Sequence, residues 1–479
     1  MDSLNLIGHA WRPALSGKTL PMVEPSTGAI FAAIPASGAE DIDLAVMAAR
    51  SAFDTGPWGR MPAFERGRLL MKLSAAILED ADRLAQIEAR DCGKPMKQAR
   101  ADVAATARYF EFYGGAADKL HGDTIPYLAG MTVLGIREPL GVTAHIVPWN
   151  YPMQIFGRSV GASLAAGNAC VVKPAEDACL SLLRIGELAL EAGFPPGALN
   201  IVTGTGESAG AALTAHPAID FISFTGSPEV GTLVQQAAAR NHVGVTLELG
   251  GKSPQIVFAD ADLEKVLPFA INAIVQNAGQ TCSACSRLLV EKAIYAPFME
   301  RLAAAFSALR VGPHDADLDC GPLISARQKS RVEGFLQEAQ NARLPVLAQG
   351  TILPGAPASG FFVPPTLVGA VPADIRLARE EIFGPVLAAI PFADEEEATR
   401  LANATDYGLV AALWTRDGGR QLRMARALRC GQVFVNGFGA GGGIELPFGG
   451  VKKSGHGREK GFEALYEFTT LKTIVLNHG

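Results

Sequence analysis

Between residues 140 and 249, short uninterrupted apolar runs alternate with longer stretches of helical periodicity. The runs are LGVTAHIV (140–147), ACVV (169–172), LNIVTG (199–204), IDFISF (219–224) and VGVTLEL (243–249). Strands that read as continuous hydrophobics belong to parallel sheets covered by helices on both faces. The pattern restarts after 250 with SPQIVF (253–258), a predicted helix over 263–277 and the strand RLLVEK (287–292), and it runs on to about Val435. Upstream, 21–35 reads as two short strands around the turn residues Pro25, Ser26 and Gly28. Ile42, Ala45, Val46, Ala49 and Phe53 then recur at helical spacing. A second amphipathic helix is expected over 64–92 and a third over 97–119.

Two segments break this order. Residues 123–139 and 468–476 are extended and β-branched, and segments so far apart in sequence are candidates to pair across a subunit boundary. The glycine-rich piece 436–459 is expected to form loops at the mouth of a cleft.

Composition narrows the class. A chain of 479 residues is long enough for about three domains, and 48% hydrophobic with 19% charged residues describes a well-buried globular protein with little surplus surface. Mean hydropathy of +0.19 suggests surface hidden against copies of the chain. A net charge of −6 without a basic stripe argues against nucleic acid as a partner. No 18-residue apolar run predicts a membrane span, and the N-terminus lacks the pattern of a signal peptide. Seven scattered cysteines, an odd number, suit a reducing cytoplasm. No metal site is expected.

In parallel sheets, ligands bind beyond the carboxyl ends of the strands. That rule collects Trp149, Asn150, Lys173, Glu176, the 204–207 turn, the 225–227 turn and Glu248 along one edge. GTGESAG (204–210) has the wrong spacing for a dinucleotide fingerprint. FTGSPEVG (224–231) follows a strand and opens a helix whose N-terminus can hold a pyrophosphate. Glu176 can accept from both ribose hydroxyls and would repel a 2′-phosphate, which favours NAD over NADP. Further on, Glu248 ends one apolar run and Cys282 follows a Gly-Gln-Thr turn. A thiol and a carboxylate, each beside glycine, are the nucleophile and the water-activating base that thioester chemistry requires.

The motifs PWN (148–150), KPAE (173–176), FTGS (224–227), LELGGK (247–252), GQTC (279–282), EIFGPV (381–386) and PFGGVKKSGHGRE (447–459) stand in one order along the chain. With them the sequence resembles the aldehyde dehydrogenase superfamily over essentially its full length. The resemblance implies an α/β fold of two doubly wound parallel-sheet domains with a β oligomerisation arm. The expected NAD-binding domain covers 1–122 and 140–250, the catalytic domain 251–449, and the arm 123–139 and 450–479, in a homodimer or homotetramer. It implies Cys282 as nucleophile, Glu248 as general base and Asn150 as oxyanion donor beside the Cys282 amide. It implies cofactor contacts from Ile146, Trp149, Lys173, Glu176, Gly206, Gly226, Ser227, Leu249, Glu381 and Phe383.

For the substrate, Tyr151, Met153, Gln154 and Arg158 are expected near the entry to Cys282. Arg158 resembles the arginine of succinic-semialdehyde and aromatic-aldehyde dehydrogenases and is a candidate to attract a carboxylate or phenolate; the alternative is a helix-surface salt bridge. Phe438 followed by AGGG (440–443) suggests a wide mouth and broad, aromatic or semialdehyde substrates. Other readings stay open. Cys282-Ser-Ala-Cys285 is a C-x-x-C that could form a redox pair. Coenzyme-A-acylating relatives usually lack the glutamate found at 248, and a silent nucleotide-binding relative would be expected to lose Cys282, Glu248 or Asn150.

Overall fold

The computed structural model describes residues 4–439 and 443–479. Five of the apolar runs form the parallel core of an eight-stranded sheet. Across it the order is Leu199–Ile201, Ala169–Pro174, Val142–Val147, Phe221–Thr225, Gly244–Glu248. The chain therefore starts in the middle, steps outward twice, and returns to build the other half. Its topological switch point lies between Val142–Val147 and Phe221–Thr225, which pair in parallel from Thr143↔Phe221 to Ile146↔Phe224. At such a point the connections leave on opposite faces and open a crevice. The edges are closed by antiparallel partners, Asn5–Ile7 on one side and Gly455–His456 on the other.

The N-terminal helices Ala39–Asp54, Ala63–Glu79, Ala81–Cys92 and Met96–Ala116 pack into the same hydrophobic core as this sheet. The single helix expected over 64–92 is divided at Asp80. That carboxylate receives Arg184 Nε at 2.8 Å and Nη2 at 3.1 Å from the helix Leu180–Ala192. Turning the chain there lets Leu70, Leu73 and Ile77 on one side, and Leu84, Ala85 and Ala89 on the other, all reach the core.

The second sheet has seven strands, all parallel except the edge strand Val346–Gln349. Its residues divide with period two between two cores. Ile256, Leu289, Ala388 and Leu413 face one, and Val257, Leu288, Leu387 and Trp414 face the other. Burial on both faces explains why these strands read as unbroken apolar runs.

The two extended segments pair with each other inside the chain, not across a boundary. Thr469–Asn477 lies antiparallel to Met131–Pro139 over nine residue pairs, and Asp123–Ile125 adds a third strand. Only this strand of the C-terminal region joins that three-stranded sheet, because Gly455–His456 belongs to the first sheet and Ala464, Leu465 and Phe468 to its core. The loops expected over 436–459 are in part fixed structure. Ser454 Oγ donates to Gly250 O at 2.7 Å and accepts from Gly408 N at 2.9 Å, which ties this segment to both sheets. Residues 440–442 of the expected wide mouth lie outside the described residues.

Candidate active site

The turn that carries Cys282 is built from unusual backbone. Asn277, Ala278 and Gly279 are consecutively left-handed, with φ of 48°, 53° and 72°. Two non-glycine residues in that region store strain of about 1–3 kcal/mol each, a signature of functional sites. A Cβ on Gly279 would collide with the Gly384 carbonyl, so only glycine fits. The turn is pinned by its own side chains. Asn277 Nδ2 donates to Asn150 O at 2.8 Å, Gln280 Nε2 donates to Asn277 O at 3.0 Å, and Gln280 Oε1 accepts from Ile324 N at 3.0 Å.

Cys282 lies where two cavities meet. The larger, about 380 Å³, opens at the switch point and is lined by Trp149, Gly226, Ser227, Glu248, Glu381 and Phe383 among others. The smaller, about 40 Å³, is walled by Tyr109, Tyr151, Gln154, Arg158, Phe448 and Lys460. Asn150 and Cys282 line both. Asn150 Nδ2 spends one hydrogen on Gln280 O at 3.1 Å, which leaves the second for a ligand, and its Oδ1 has no partner.

Both reactive groups are held in their neutral forms. Burial pushes the Cys282 thiol up to about 12, with Arg158 opposing and the Glu248 carboxylate adding to the rise. Burial likewise raises the Glu248 carboxyl well above the ordinary range, more than Arg158 lowers it. Glu248 is 2% exposed and neither oxygen has a hydrogen-bond partner. A charge on Glu248 disfavours the thiolate of Cys282, as like charges do.

The larger cavity fits an extended anionic ligand with a planar ring. Ser227 caps the helix Pro228–Arg240, its Oγ accepting from Val230 N at 3.3 Å, so the positive end of that helix faces the cleft. Trp149 and Phe383 meet edge to face at 5.3 Å and form an aromatic wall. Glu381 Oε1 accepts from Gly251 N at 2.9 Å, and burial raises its carboxyl to about 7. A Cβ on Gly250 would strike that carboxylate. Lys173 Nζ and Glu176 Oε2 pair at 2.9 Å at the adjacent strand end.

Of the other residues expected around a cofactor, Ile146 is interior to its strand, and Gly206 opens the short turn after Thr205 with open space around its Cα. Leu249 packs against Gly231, where a Cβ would lie 2.7 Å from its Cδ2. Sequence reasoning missed Gln328 and Arg331, which reach the cleft from the helix Ala326–Asn341. Gln328 Nε2 donates to Phe383 O at 2.7 Å and Arg331 Nη2 to Glu381 O at 2.6 Å. No local motif marks them.

On the other side of Cys282, Tyr151 and Gln154 line the smaller cavity, and Tyr151 Oη shares a hydrogen bond with Thr281 Oγ1 at 2.8 Å. Met153 does not reach it; the side chain is wholly within the first core. Phe438 packs in a small cluster with Cys285, Phe448 and Cys282. Arg158 reaches the cavity but is neither on the helix surface nor unattached. It is 6% exposed, ion-paired with Glu459, and its Nη2 donates to Thr225 Oγ1 at 3.2 Å. Lys460 is a second cation here that sequence reasoning missed, although its place directly after the GRE triplet was visible. Cys285 is buried with its Sγ directed at Pro254 O, 3.5 Å away. Among the described residues, no group of three or more His, Cys, Asp or Glu side chains could hold a metal ion, and no helix is long and apolar enough to cross a membrane.

A sequence profile of the Aldehyde dehydrogenase family matches residues 11–474. A crystal structure from Burkholderia cenocepacia, solved as a candidate aldehyde dehydrogenase, is 66% identical with full coverage of both chains and a TM-score of 0.99. The NAD+ complex of an aldehyde dehydrogenase from Bacillus cereus is 38% identical, covers 100% of this chain and 97% of its own, and has a TM-score of 0.97. A hydroxyisobutyraldehyde dehydrogenase from Mycolicibacterium austroafricanum is 42% identical over 479 residues, 99% of this chain and 94% of that protein.

Proposed function

The chain belongs to the aldehyde dehydrogenase family, and from that premise we propose that Cys282, Glu248 and Asn150 carry its chemistry. It is an NAD-dependent enzyme that oxidises an aldehyde to the carboxylic acid. The observation that carries the residue assignment is the position of Cys282 and Asn150 at the junction of two cavities. Such a junction admits the oxidant from one side and the aldehyde from the other.

NAD+ would be held in the larger cavity by Lys173, Glu176, Gly226, Ser227, Glu381 and Phe383, with Trp149 beside it, and it supplies the hydride acceptor. The protein's own part has two stages. Cys282 releases its proton to solvent as its sulfur bonds to the aldehyde carbon, and the carbonyl electron pair moves onto oxygen. Asn150 Nδ2 and the Cys282 amide stabilise that oxyanion. The tetrahedral thiohemiacetal can release hydride, which the planar aldehyde carbon cannot easily do, and a thioester remains on Cys282. Glu248 acts as a base only in its ionised form, which its raised carboxyl reaches as pH rises. Glu248 then removes a proton from water, the new C–O bond forms, the C–S bond breaks, and the acid departs.

The residues fit a broad-specificity or aromatic and semialdehyde substrate range, with Tyr151, Gln154, Arg158 and Phe438 around the aldehyde. We assign 1–122 and 140–250 to cofactor binding, the second sheet to catalysis, and the arm to assembly of a homodimer or homotetramer. Leu471, Val475 and Leu476, each about half exposed on the outer strand of that arm, support the last assignment. A cytoplasmic location fits the seven free cysteines. Measuring NADH formation from a panel of aldehydes, with and without coenzyme A, tests the hydrolytic reading. Turnover should proceed without coenzyme A and yield the free acid; a strict requirement for coenzyme A with an acyl thioester product would refute it.

A further inference from the structure

The nucleophile and the oxyanion donor belong to different halves of the fold. Asn150 follows the strand Val142–Val147 of the first sheet, whereas Cys282 lies on the turn that leads into Arg287–Glu291 of the second. Their separation therefore depends on side chains that cross between the two halves, and Asn277 Nδ2 to Asn150 O is one such contact.

Gln98 crosses in both directions. It stands in the first turn of the helix Met96–Ala116 and lies outside both cavities. Its Oε1 accepts from Asn277 N at 2.9 Å, and its Nε2 donates to Tyr151 Oη at 3.3 Å. Asn277 is the first of the three left-handed residues in the Cys282 turn. Tyr151 directly follows Asn150, and its Oη shares a hydrogen bond at 2.8 Å with Thr281, the neighbour of Cys282. Gln98, Asn277, Thr281 and Tyr151 thus close a ring around the start of the turn.

That ring stands on a rigid foundation. Lys94, just ahead of the same helix, is 1% exposed and pairs with Glu88 at 2.9 Å and Asp102 at 2.6 Å. Its ammonium lies 4.4 Å from the centroid of the Tyr151 ring. The other carboxylate oxygens are also engaged: Asp102 Oδ1 accepts from Gln154 Nε2 at 2.7 Å, and Glu88 Oε2 from Ser181 Oγ at 2.8 Å. A buried polar network with its members satisfied is rigid. It sets the start of the helix, and Gln98 with it, at a constant distance from Tyr151.

We propose that Gln98 is a positioning residue for the oxidation, holding the Cys282 turn in register with the Asn150 amide so that the oxyanion forms within reach of both donors. The assignment rests on the function proposed above and extends it to a residue that touches neither aldehyde nor cofactor. A carboxamide suits the task because it offers an acceptor to Asn277 N and a donor to Tyr151 Oη in one plane.

The test is a double-mutant cycle between Gln98→Met and Asn150→Ala, read as kcat/KM for propanal and benzaldehyde at saturating NAD+. Gln98→Met alone should lower kcat/KM by ~10–100-fold, the scale of a misplacement of about 1 Å. KM for NAD+ and the rate of Cys282 alkylation by iodoacetamide should not change, because neither uses Asn150. In the Asn150→Ala background the same substitution should cost no more than about twofold, since there is no amide left to align. Gln98→Glu keeps an acceptor for Asn277 N and for the Tyr151 hydroxyl, and should recover to within about twofold of the wild type. If Gln98→Met does not fold, the same cycle with Gln98→Asn, whose amide is one methylene shorter, decides the matter. Wild-type kcat/KM in the Gln98 variant, or an equal loss with and without Asn150, overturns the positioning role and leaves the proposed function standing. Wild-type kcat/KM in Asn150→Ala would overturn the oxyanion assignment and this inference with it.

Discussion

Replacing Glu248 with Gln should move activity and stability in opposite directions. Glu248 is buried with neither carboxylate oxygen hydrogen-bonded, and burial raises its pKa well above the ordinary value. A raised carboxyl keeps its proton in the folded state after the unfolded chain has lost it at about pH 4.3. Stability is then fully present below that pH and falls by ~1.4 kcal/mol for each pH unit until the folded value is reached. Glutamine keeps the shape and removes the titration. The variant should therefore be more stable than the wild type at pH 8 by an increment that shrinks as pH falls toward 4.5. Chemical denaturation at pH 5, 6.5 and 8 measures that difference. In catalysis the loss of the base should lower steady-state turnover by ~10²–10⁴-fold. Thiohemiacetal formation and hydride release do not use Glu248, so rapid mixing should still give about one NADH per active site in the first turnover. Loss of that first turnover in proportion to the steady state would refute the division of labour between Cys282 and Glu248. A stability difference that does not grow with pH would refute the account of its burial.

Asn150→Ala should lower kcat by ~10²–10³-fold with KM little changed, the expected result of removing one oxyanion donor. The Cys282 turn should survive this change because Asn277 Nδ2 also reaches Gln280 O, at 3.3 Å, and a loss confined to KM would argue against the oxyanion role. Gly279→Ala should abolish most activity and lower the unfolding temperature, since φ of 72° and the Gly384 carbonyl both exclude a Cβ; wild-type kinetics in that variant would show that the turn tolerates displacement.

The parts of this molecule that sequence made legible are those where local chemistry and position coincide. Asn150, Thr225, Ser227 and Glu248 stand at strand ends, and the strands could be recognised because both of their faces are buried. Once the strand order places Val142–Val147 beside Phe221–Thr225, the switch point brings those residues together without further information. Gln328 and Arg331 were illegible for the opposite reason: they lie on a polar amphipathic helix and act on main-chain oxygens of Phe383 and Glu381, 55 and 50 residues away. The helix break at Asp80 also depends on a distant partner, Arg184. Arg158 shows the limit most clearly. Its position eight residues after Asn150 suggested a charge available to the substrate, but the carboxylate that takes that charge, Glu459, arrives from the far end of the chain on a segment expected to be loop. The same segment brings in Lys460. A sequence can thus place a cation beside a nucleophile, but only the closing of distant segments decides what that cation is paired with.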